Sequence, residues 1–190
     1  MTSCPGHASV ADVVRMAHMA LAPLIAIDGL PCSGKTTLAE RLRVGHGFDC
    51  VWLDEFVRPP VEWPSCAVAF PFEFVRYGAF LDAVRTLAAT GSCRYRRFDF
   101  ATLSVSERPR TVTLDRQVVV EGVSALHPGL YGLRVFIESD RATTLEAVLS
   151  RDGGAWAEQW RDLFLPSGDL YMRSRPELRT DLALPGWGVA

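Results

Sequence analysis

The sequence makes almost no use of two common residues. Its 190 residues include one lysine, Lys35, and no asparagine, while nineteen arginines fill the other basic positions. The lack of asparagine excludes N-glycosylation acceptor sites. Without asparagine and without a second lysine, the chain also lacks the N/T-K-x-D motif by which switch GTPases read guanine, and no D-x-x-G occurs. A single lysine among arginines indicates a position that needs a compact ammonium group on a flexible stem.

Long apolar runs and paired cysteines are missing too. No segment reaches the roughly 18 unbroken apolar residues of a membrane span. Residues 16–27 come nearest to a secretion signal, but they contain His18 and Pro23. The five cysteines show no C-x-x-C pair and no zinc-ligand spacing, so we expect reduced thiols. A net charge of −2 provides no basic field for nucleic acid or a membrane surface. We therefore expect a cytoplasmic protein that binds neither.

The order of apolar runs predicts the fold class. Apolar residues make up 48% of the chain, enough for one domain with a sizeable core. Short apolar runs such as residues 24–27 and 118–120 alternate with segments of helical spacing such as residues 36–44. This alternation predicts an α/β protein with a parallel β-sheet flanked by helices on both faces.

The most specific motif begins at the end of the first apolar run. Residues 29–36 read G-L-P-C-S-G-K-T and match the phosphate-binding pattern G-x-x-x-x-G-K-S/T. Its backbone N–H groups and the positive end of the next helix would surround phosphate oxygens. Lys35 would reach the β- and γ-phosphates, and the Thr36 hydroxyl would bind Mg²⁺. The predicted nucleotide-binding residues are Gly29, Pro31, Cys32, Ser33, Gly34, Lys35, Thr36 and Thr37.

Two acidic residues follow apolar runs and should reach the same edge of the sheet. Glu121 follows residues 118–120, and Asp54 follows residues 51–53. Parallel α/β sheets bind their ligands at the carboxyl ends of the strands. We expect Glu121 to bind magnesium directly or through water, and Asp54 to accept a proton from a hydroxyl that attacks the γ-phosphate. Solvated acids at strand ends are the ordinary alternative.

With two further segments, these motifs resemble the uridine kinase-like family of P-loop nucleoside kinases over roughly residues 24–185. The further segments are residues 95–100, Y-R-R-F-D-F, and residues 151–153, R-D-G. The resemblance implies the P-loop NTPase/nucleoside kinase fold. It also implies that Asp54 is the catalytic base and a magnesium contact, and that Glu121 is the acid of the family's Glu-Gly pair.

The resemblance further implies a mobile lid at about residues 151–168, whose arginines embrace the transferred phosphate. We assign residues 1–23 to an N-terminal helical arm and residues 24–190 to a single P-loop kinase domain. The predicted roles are catalysis for Asp54, Lys35 and Arg151; substrate binding for Tyr95, Arg97, Asp99, Glu121 and Arg161; and metal binding for Thr36, Glu121 and Asp54.

Three tryptophans have open roles. Trp156 and Trp160 lie one helical turn apart within the predicted lid, where they either pack the lid down or close over a nucleotide. Trp63 follows Asp54 in a proline-containing stretch and either covers an aromatic or sugar acceptor or belongs to the core.

The leading functional hypothesis is a kinase that moves the γ-phosphoryl group of ATP or GTP, with Mg²⁺, to a hydroxyl of a nucleoside or nucleoside-like molecule. A resistance enzyme that phosphorylates a nucleoside-containing antibiotic is the alternative within this class. A nucleotide-hydrolysing switch and an ATP-driven remodelling subunit are the alternatives from other classes. The sequence leaves homo-oligomerisation open.

Overall fold

The computed structural model describes residues 10–186, and for Arg151 and Asp152 it describes the backbone alone. The strands in this range are β1 Leu24–Gly29, β2 Asp49–Trp52, β3 Ser92–Asp99, β4 Ser104–Thr113, β5 Val118–Glu121, β6 Leu133–Glu138 and β7 Leu182–Pro185. The α-helices are α1 Val10–Met19, α2 Lys35–His46, α3 Tyr77–Thr90, α4 Arg141–Ser150, α5 Ala157–Gln159 and α6 Leu165–Met172. A π-helical turn, Trp160–Phe164, joins α5 to α6.

Five strands form a parallel sheet in the order β2-β5-β1-β6-β7, with helices on both faces. The predicted fold class is therefore confirmed. The chain leaves the central strand β1 for the β2 edge, returns through β5, and then crosses to β6 and β7. Strands β3 and β4 form a separate antiparallel hairpin.

The register of the sheet brings three chain segments to one edge. Glu121, the last residue of β5, pairs with Ile27 of β1 on one side and Trp52 of β2 on the other. Strands β1, β2 and β5 all end within about two residues of this pairing. The segment after β1, the end of β5 and the segment after β2 therefore meet, as the carboxyl-end rule for α/β sheets requires.

Each face of the sheet buries its own core, because side chains alternate along a strand. Ile25 and Ile27 of β1 and Val119 of β5 pack with α1 and α2. Val118 and Val120 point to the other face and pack with α3. The helix predicted in the N-terminal arm belongs to the first of these cores, since its residues Val13 and Ala17 are fully buried.

One ion-pair network fixes the β3–β4 hairpin to the start of β2 and to the segment that follows it. The Arg110 guanidinium on β4 donates to Glu55 at 2.9 Å and to Asp49 at 2.8 Å. Glu55 belongs to a 3₁₀ helix, Leu53–Phe56, which continues β2. The hairpin is therefore anchored beside the carboxyl edge of the sheet.

Two smaller findings bear on the sequence predictions. Cys32, Cys50, Cys66 and Cys93 are free thiols, and Cys4 lies outside the described residues. Within residues 10–186, every helix is too short or too polar to span a bilayer.

The glycine after Glu121 is required by close packing. Gly122 has φ +153°, and a Cβ atom there would lie 2.3 Å from Leu53 Cβ. We expect Gly122→Ala to lower the free energy of unfolding by about 2 kcal/mol or more through strain and overpacking. Urea denaturation would measure this loss. Gly78→Ala is the matched control, because nothing lies within 4 Å of a Cβ atom at this position in α3. The control should be neutral or slightly stabilising, and equal losses in the two variants would contradict the packing argument.

Candidate active site

The segment between β1 and α2 has the geometry of a phosphate-binding loop. Gly29 ends β1 with φ +143°, and a Cβ atom there would lie 2.4 Å from the carbonyl oxygen of Ile137. Gly34 adopts the left-handed conformation, with φ 100°, immediately before α2 begins at Lys35. Both glycines of the motif therefore occupy positions at which a side chain is strained.

Several donors of this loop remain available to an anion. The first turn of α2 has no side-chain cap, so its leading N–H groups can bind phosphate oxygens. The Ser33 hydroxyl is buried and lacks a hydrogen-bond partner among the described residues. Lys35 is also buried, and its ammonium group donates to the Leu30 carbonyl oxygen at 2.7 Å. A buried cation held within its own loop is positioned for a polyanionic ligand.

A cavity of about 510 Å³ opens in front of the loop and contains both predicted acids. Lys35, Thr36, Asp54 and Glu121 all line it. Burial raises the pKa of Glu121 to about 8, the charges of Asp54 and Asp28 add to the rise, and Lys35 and a hydrogen bond with Thr36 oppose it. Two carboxylates, a hydroxyl and an ammonium group thus share one end of the cavity.

These groups fit a magnesium ion that is bound together with phosphates. Carboxylate and hydroxyl oxygens are the hard ligands that Mg²⁺ prefers, and it usually takes one or two carboxylates together with phosphate oxygens. Thr36 and Glu121 already contact each other through a hydrogen bond. No group of three or more His, Cys, Asp or Glu side chains suited to a metal occurs among the residues that the structure describes.

Asp28 is a buried acid that the sequence reasoning missed. It lies in β1 directly before the phosphate loop and is completely buried. Its carboxylate accepts hydrogen bonds from the amides of Gly29 (2.6 Å), Ser124 (3.0 Å) and Leu126 (3.0 Å) and from the Tyr171 hydroxyl (2.5 Å). Burial raises the pKa of Asp28, and these four bonds oppose the rise. An acidic residue inside an apolar strand was the sequence signal for it.

The residues predicted near the acceptor do not line the cavity together. Tyr95 is buried, stacks on Phe56 at 4.6 Å and donates its hydroxyl to Glu55. Arg97 is exposed, and Asp99 accepts a hydrogen bond from the Ala101 amide at 2.9 Å. Of residues 95–100, Phe98 and Phe100 line the cavity. The pairing of β3 with β4 is irregular between Arg96 and Phe98, and beyond this point the buried residue of β3 is Phe98, where strict alternation from Cys93 and Tyr95 would bury Arg97.

The structure places some of the residues predicted for the lid at the cavity and others away from it. Arg151 begins a 3₁₀ helix, Arg151–Gly154, and its side chain lies outside what the structure describes. Arg161 and Thr37 are exposed and are not among the cavity-lining residues. Trp156 and Trp160 do line the cavity, as does Trp63. Trp63 contacts the Trp156 ring at a centroid distance of 4.9 Å, so the segment after β2 touches the lid directly.

No family model and no curated protein matches this sequence. Solved structures share its fold. A protein described as a possible uridine kinase from Bacillus stearothermophilus is 20% identical, with a TM-score of 0.58 over 85% of this chain and 87% of that chain. A protein described as a fructose transport system kinase from Silicibacter sp. TM1040 is 18% identical, with a TM-score of 0.64 over 93% and 99%. D-glycerate 3-kinase from Cryptococcus neoformans is 14% identical, with a TM-score of 0.55 over 90% and 88%.

The fold is therefore that of the P-loop kinases, as the resemblance in the sequence implied. At these identities, the likeness establishes the fold alone.

The raised pKa of Glu121 has a measurable consequence for stability. Because its pKa of about 8 lies above the unfolded value of 4.5, the stabilisation by the neutral form is complete at low pH and is lost as pH rises towards 8. Glu121→Gln stays neutral, so its melting temperature should increasingly exceed that of the parent protein between about pH 5 and about pH 8 and then level off. Thermal denaturation without nucleotide measures this. The exposed control Glu107→Gln should follow the parent curve, and parallel curves for Glu121→Gln would contradict the prediction.

The hydrogen bond between Tyr171 and Asp28 should contribute strongly to stability. Tyr171→Phe leaves a buried carboxylate short of one donor, which should cost about 1.5–3 kcal/mol in the free energy of unfolding. Tyr77→Phe is the matched control, since the Tyr77 hydroxyl donates to the neutral Ser124 hydroxyl at 3.0 Å. The control should cost about 0.5–1.5 kcal/mol. Urea titrations of both variants would test this ranking, and the reverse order would refute it.

Proposed function

We propose that this protein is a phosphotransferase that moves the γ-phosphoryl group of a nucleoside triphosphate, ATP or GTP, to a hydroxyl of a small molecule. The observation that carries the proposal is a single cavity in which the phosphate-loop lysine, Thr36 and two acids share one end and a largely apolar space occupies the other. The kinases with the same fold support this reaction class.

The nucleotide end would be built from the loop and the start of α2. Backbone N–H groups and the Ser33 hydroxyl would bind phosphate oxygens, and Lys35 would move from the Leu30 carbonyl to the β- and γ-phosphates. Thr36, Glu121 and Asp54 would hold magnesium. When bound, this ion neutralises the charge of the phosphates.

Asp54 would orient the acceptor hydroxyl and accept its proton. The acceptor oxygen forms a bond to the γ-phosphorus while the bond from that phosphorus to the β–γ bridging oxygen breaks. The products are a phosphate monoester, the nucleoside diphosphate and one proton. Asp54 suits this task because it lines the cavity yet is more exposed than Glu121. Lys35 stabilises the phosphoryl oxygens during transfer.

The segment after α4 would act as the lid. Its tryptophans line the cavity, and they would exclude water, which competes with the acceptor as a nucleophile. We assign a phosphate-stabilising role to Arg151, at the start of this segment, and an auxiliary role to Arg161.

A nucleotide-hydrolysing switch fits less well. A switch that only hydrolyses its nucleotide does not require the apolar space beside the phosphate end of the cavity, and this chain lacks the guanine-reading motif. The family resemblance implies one finer form of this reaction, in which the acceptor is a nucleoside or a nucleoside antibiotic. Acceptor screening with ATP or GTP and Mg²⁺, read by product mass, tests both levels. Productive hydrolysis without transfer to any acceptor would contradict the phosphotransferase.

Two substitutions should separate nucleotide binding from transfer. Asp54→Asn should keep the dissociation constant for a non-hydrolysable ATP analogue measured without Mg²⁺, and it should lower single-turnover transfer to the best acceptor with Mg²⁺ by about 100-fold or more. Lys35→Ala should weaken binding of the same analogue and reduce transfer by about 100-fold or more. Calorimetry and rapid-quench kinetics measure these quantities. Asp82→Asn, on the exposed surface of α3, is the control and should leave both unchanged. A fully active Asp54→Asn variant would refute the role of the base.

A further inference from the structure

The cavity has one polar end and one apolar end. Among the described residues that line it, the charged side chains are Lys35, Asp54 and Glu121, and all three belong to the phosphate end. The remaining wall is largely aromatic and aliphatic. Its side chains are Leu53, Val57, Trp63, Phe72, Phe74, Val75, Phe98, Phe100, Leu103, Val123, Trp156, Trp160 and Phe164.

The aromatic rings come from separate parts of the chain and pack on one another. Phe164 is the centre of this cluster, with ring centroids 5.0 Å from Trp63, 4.6 Å from Phe74 and 5.1 Å from Trp160. Trp156, Trp160 and Phe164 follow at four-residue intervals, so the helical lid turns one continuous face to the cavity. The aromatic wall is thus assembled from the lid, the segment after β2 and the β3–β4 hairpin.

The side chains of this wall offer a ligand no hydrogen-bond acceptor, and their donors are the indole N–H groups of Trp63, Trp156 and Trp160. The indole N–H of Trp63 already donates to the Arg58 carbonyl oxygen at 2.8 Å. Of the described lining residues, none is an asparagine, glutamine, serine, tyrosine, histidine or arginine. A nucleoside would bring the polar edge of its base and its further ribose hydroxyls against this wall. Polar groups that lose water without gaining a partner oppose binding.

Part of this apolar wall is exposed to solvent, and an apolar ligand would cover it. Phe100 is 61% exposed and Leu103 is 43% exposed, and both border the cavity at the turn of the β3–β4 hairpin. Large apolar side chains gathered at the mouth of a cavity mark a binding surface. The residues that line the cavity therefore indicate the chemistry of the acceptor.

We propose that the acceptor is an alcohol whose hydroxyl is carried on an aromatic body, in place of a nucleoside or a sugar. This inference rests on the proposed phosphotransferase function and specifies its substrate class. The rings of the acceptor stack within the aromatic wall, and its hydroxyl reaches Asp54 at the polar end. The alcohol oxygen bonds to the γ-phosphorus of ATP, the bond to the β–γ bridging oxygen breaks, and Asp54 takes the hydroxyl proton. The products are an aryl-alkyl phosphate, ADP and a proton.

Binding and turnover with two sets of alcohols test this assignment. The apolar set is cinnamyl alcohol, naphthalenemethanol and biphenylmethanol, and the polar set is uridine, cytidine and D-glycerate. Calorimetry should show saturable binding of an apolar alcohol and weaker or no binding of the polar set. With ATP and Mg²⁺, kcat/KM for the best apolar alcohol should exceed that for uridine by at least about 100-fold.

A double variant at the cavity mouth links binding to the aromatic wall. Phe100→Ser with Leu103→Ser should raise the dissociation constant of the best apolar alcohol about tenfold and leave that of a non-hydrolysable ATP analogue unchanged. Both side chains are exposed enough for the variant to fold. The control is Leu178→Ser, which removes an apolar side chain that is 72% exposed and lies outside the cavity lining. It should change neither constant.

The outcomes distinguish the two proposals. If uridine binds more tightly than every apolar alcohol, or if the double variant binds the apolar alcohol as the parent does, the acceptor class is wrong and the phosphotransferase stands. If the ATP analogue does not bind, or if no alcohol of either set is phosphorylated while ATP is bound, the phosphotransferase itself fails. Selective binding and phosphorylation of an apolar alcohol, weakened by the double variant alone, establish the assignment.

Discussion

A buried carboxylate at the end of the central strand organises the edge of the sheet at which the site is formed. Asp28 cannot be left unpaired in the core, because an isolated buried charge is costly. Its four donors come from the phosphate loop, from the segment that follows Glu121 and from helix α6. Hydrogen bonding to this one side chain therefore requires three distant parts of the chain to meet. The positions of the phosphate loop, of the acid of β5 and of α6 are thereby fixed relative to one another.

Two chemical environments then share one cavity. The polar end holds Lys35 and two acids in partly desolvated surroundings, where electrostatic interactions with phosphates are stronger than in water. The apolar end consists of aromatic side chains that no charged lining residue interrupts within the described chain. By binding the non-reacting part of a substrate, an aromatic wall can fix the position of its reacting end. In the proposed reaction this wall would also limit the access of water to the phosphoryl group.

The sequence predicted the site best where the signal was local. The phosphate loop is one short segment whose spacing of glycines and lysine is typical of phosphate binding. Asp54 and Glu121 follow apolar strands at the edge of the sheet where ligands bind. The prediction for residues 95–100 assumed a regular strand. The pairing of β3 with β4 is irregular after Arg96, and beyond that point Phe98 and Phe100 line the cavity while Arg97 is exposed. Periodicity along β3 cannot reveal this irregularity, because the extra residues lie in the partner strand, where β4 runs from Pro109 to Val105 while β3 runs from Arg96 to Phe98.

The amino-acid pattern alone determined the fold class, the phosphate loop with its single lysine, and the two acids beside it, because each depends on neighbours along the chain. The order of the strands, the burial of Asp28 beneath Tyr171, and the meeting of Trp63 with Trp156 and Phe164 were decided by tertiary structure. These contacts join residues about 90 to 140 positions apart, and only packing of the whole domain brings such residues together. Tertiary structure also decided the chemistry of the proposed acceptor compartment, since its walls come from segments that share no motif.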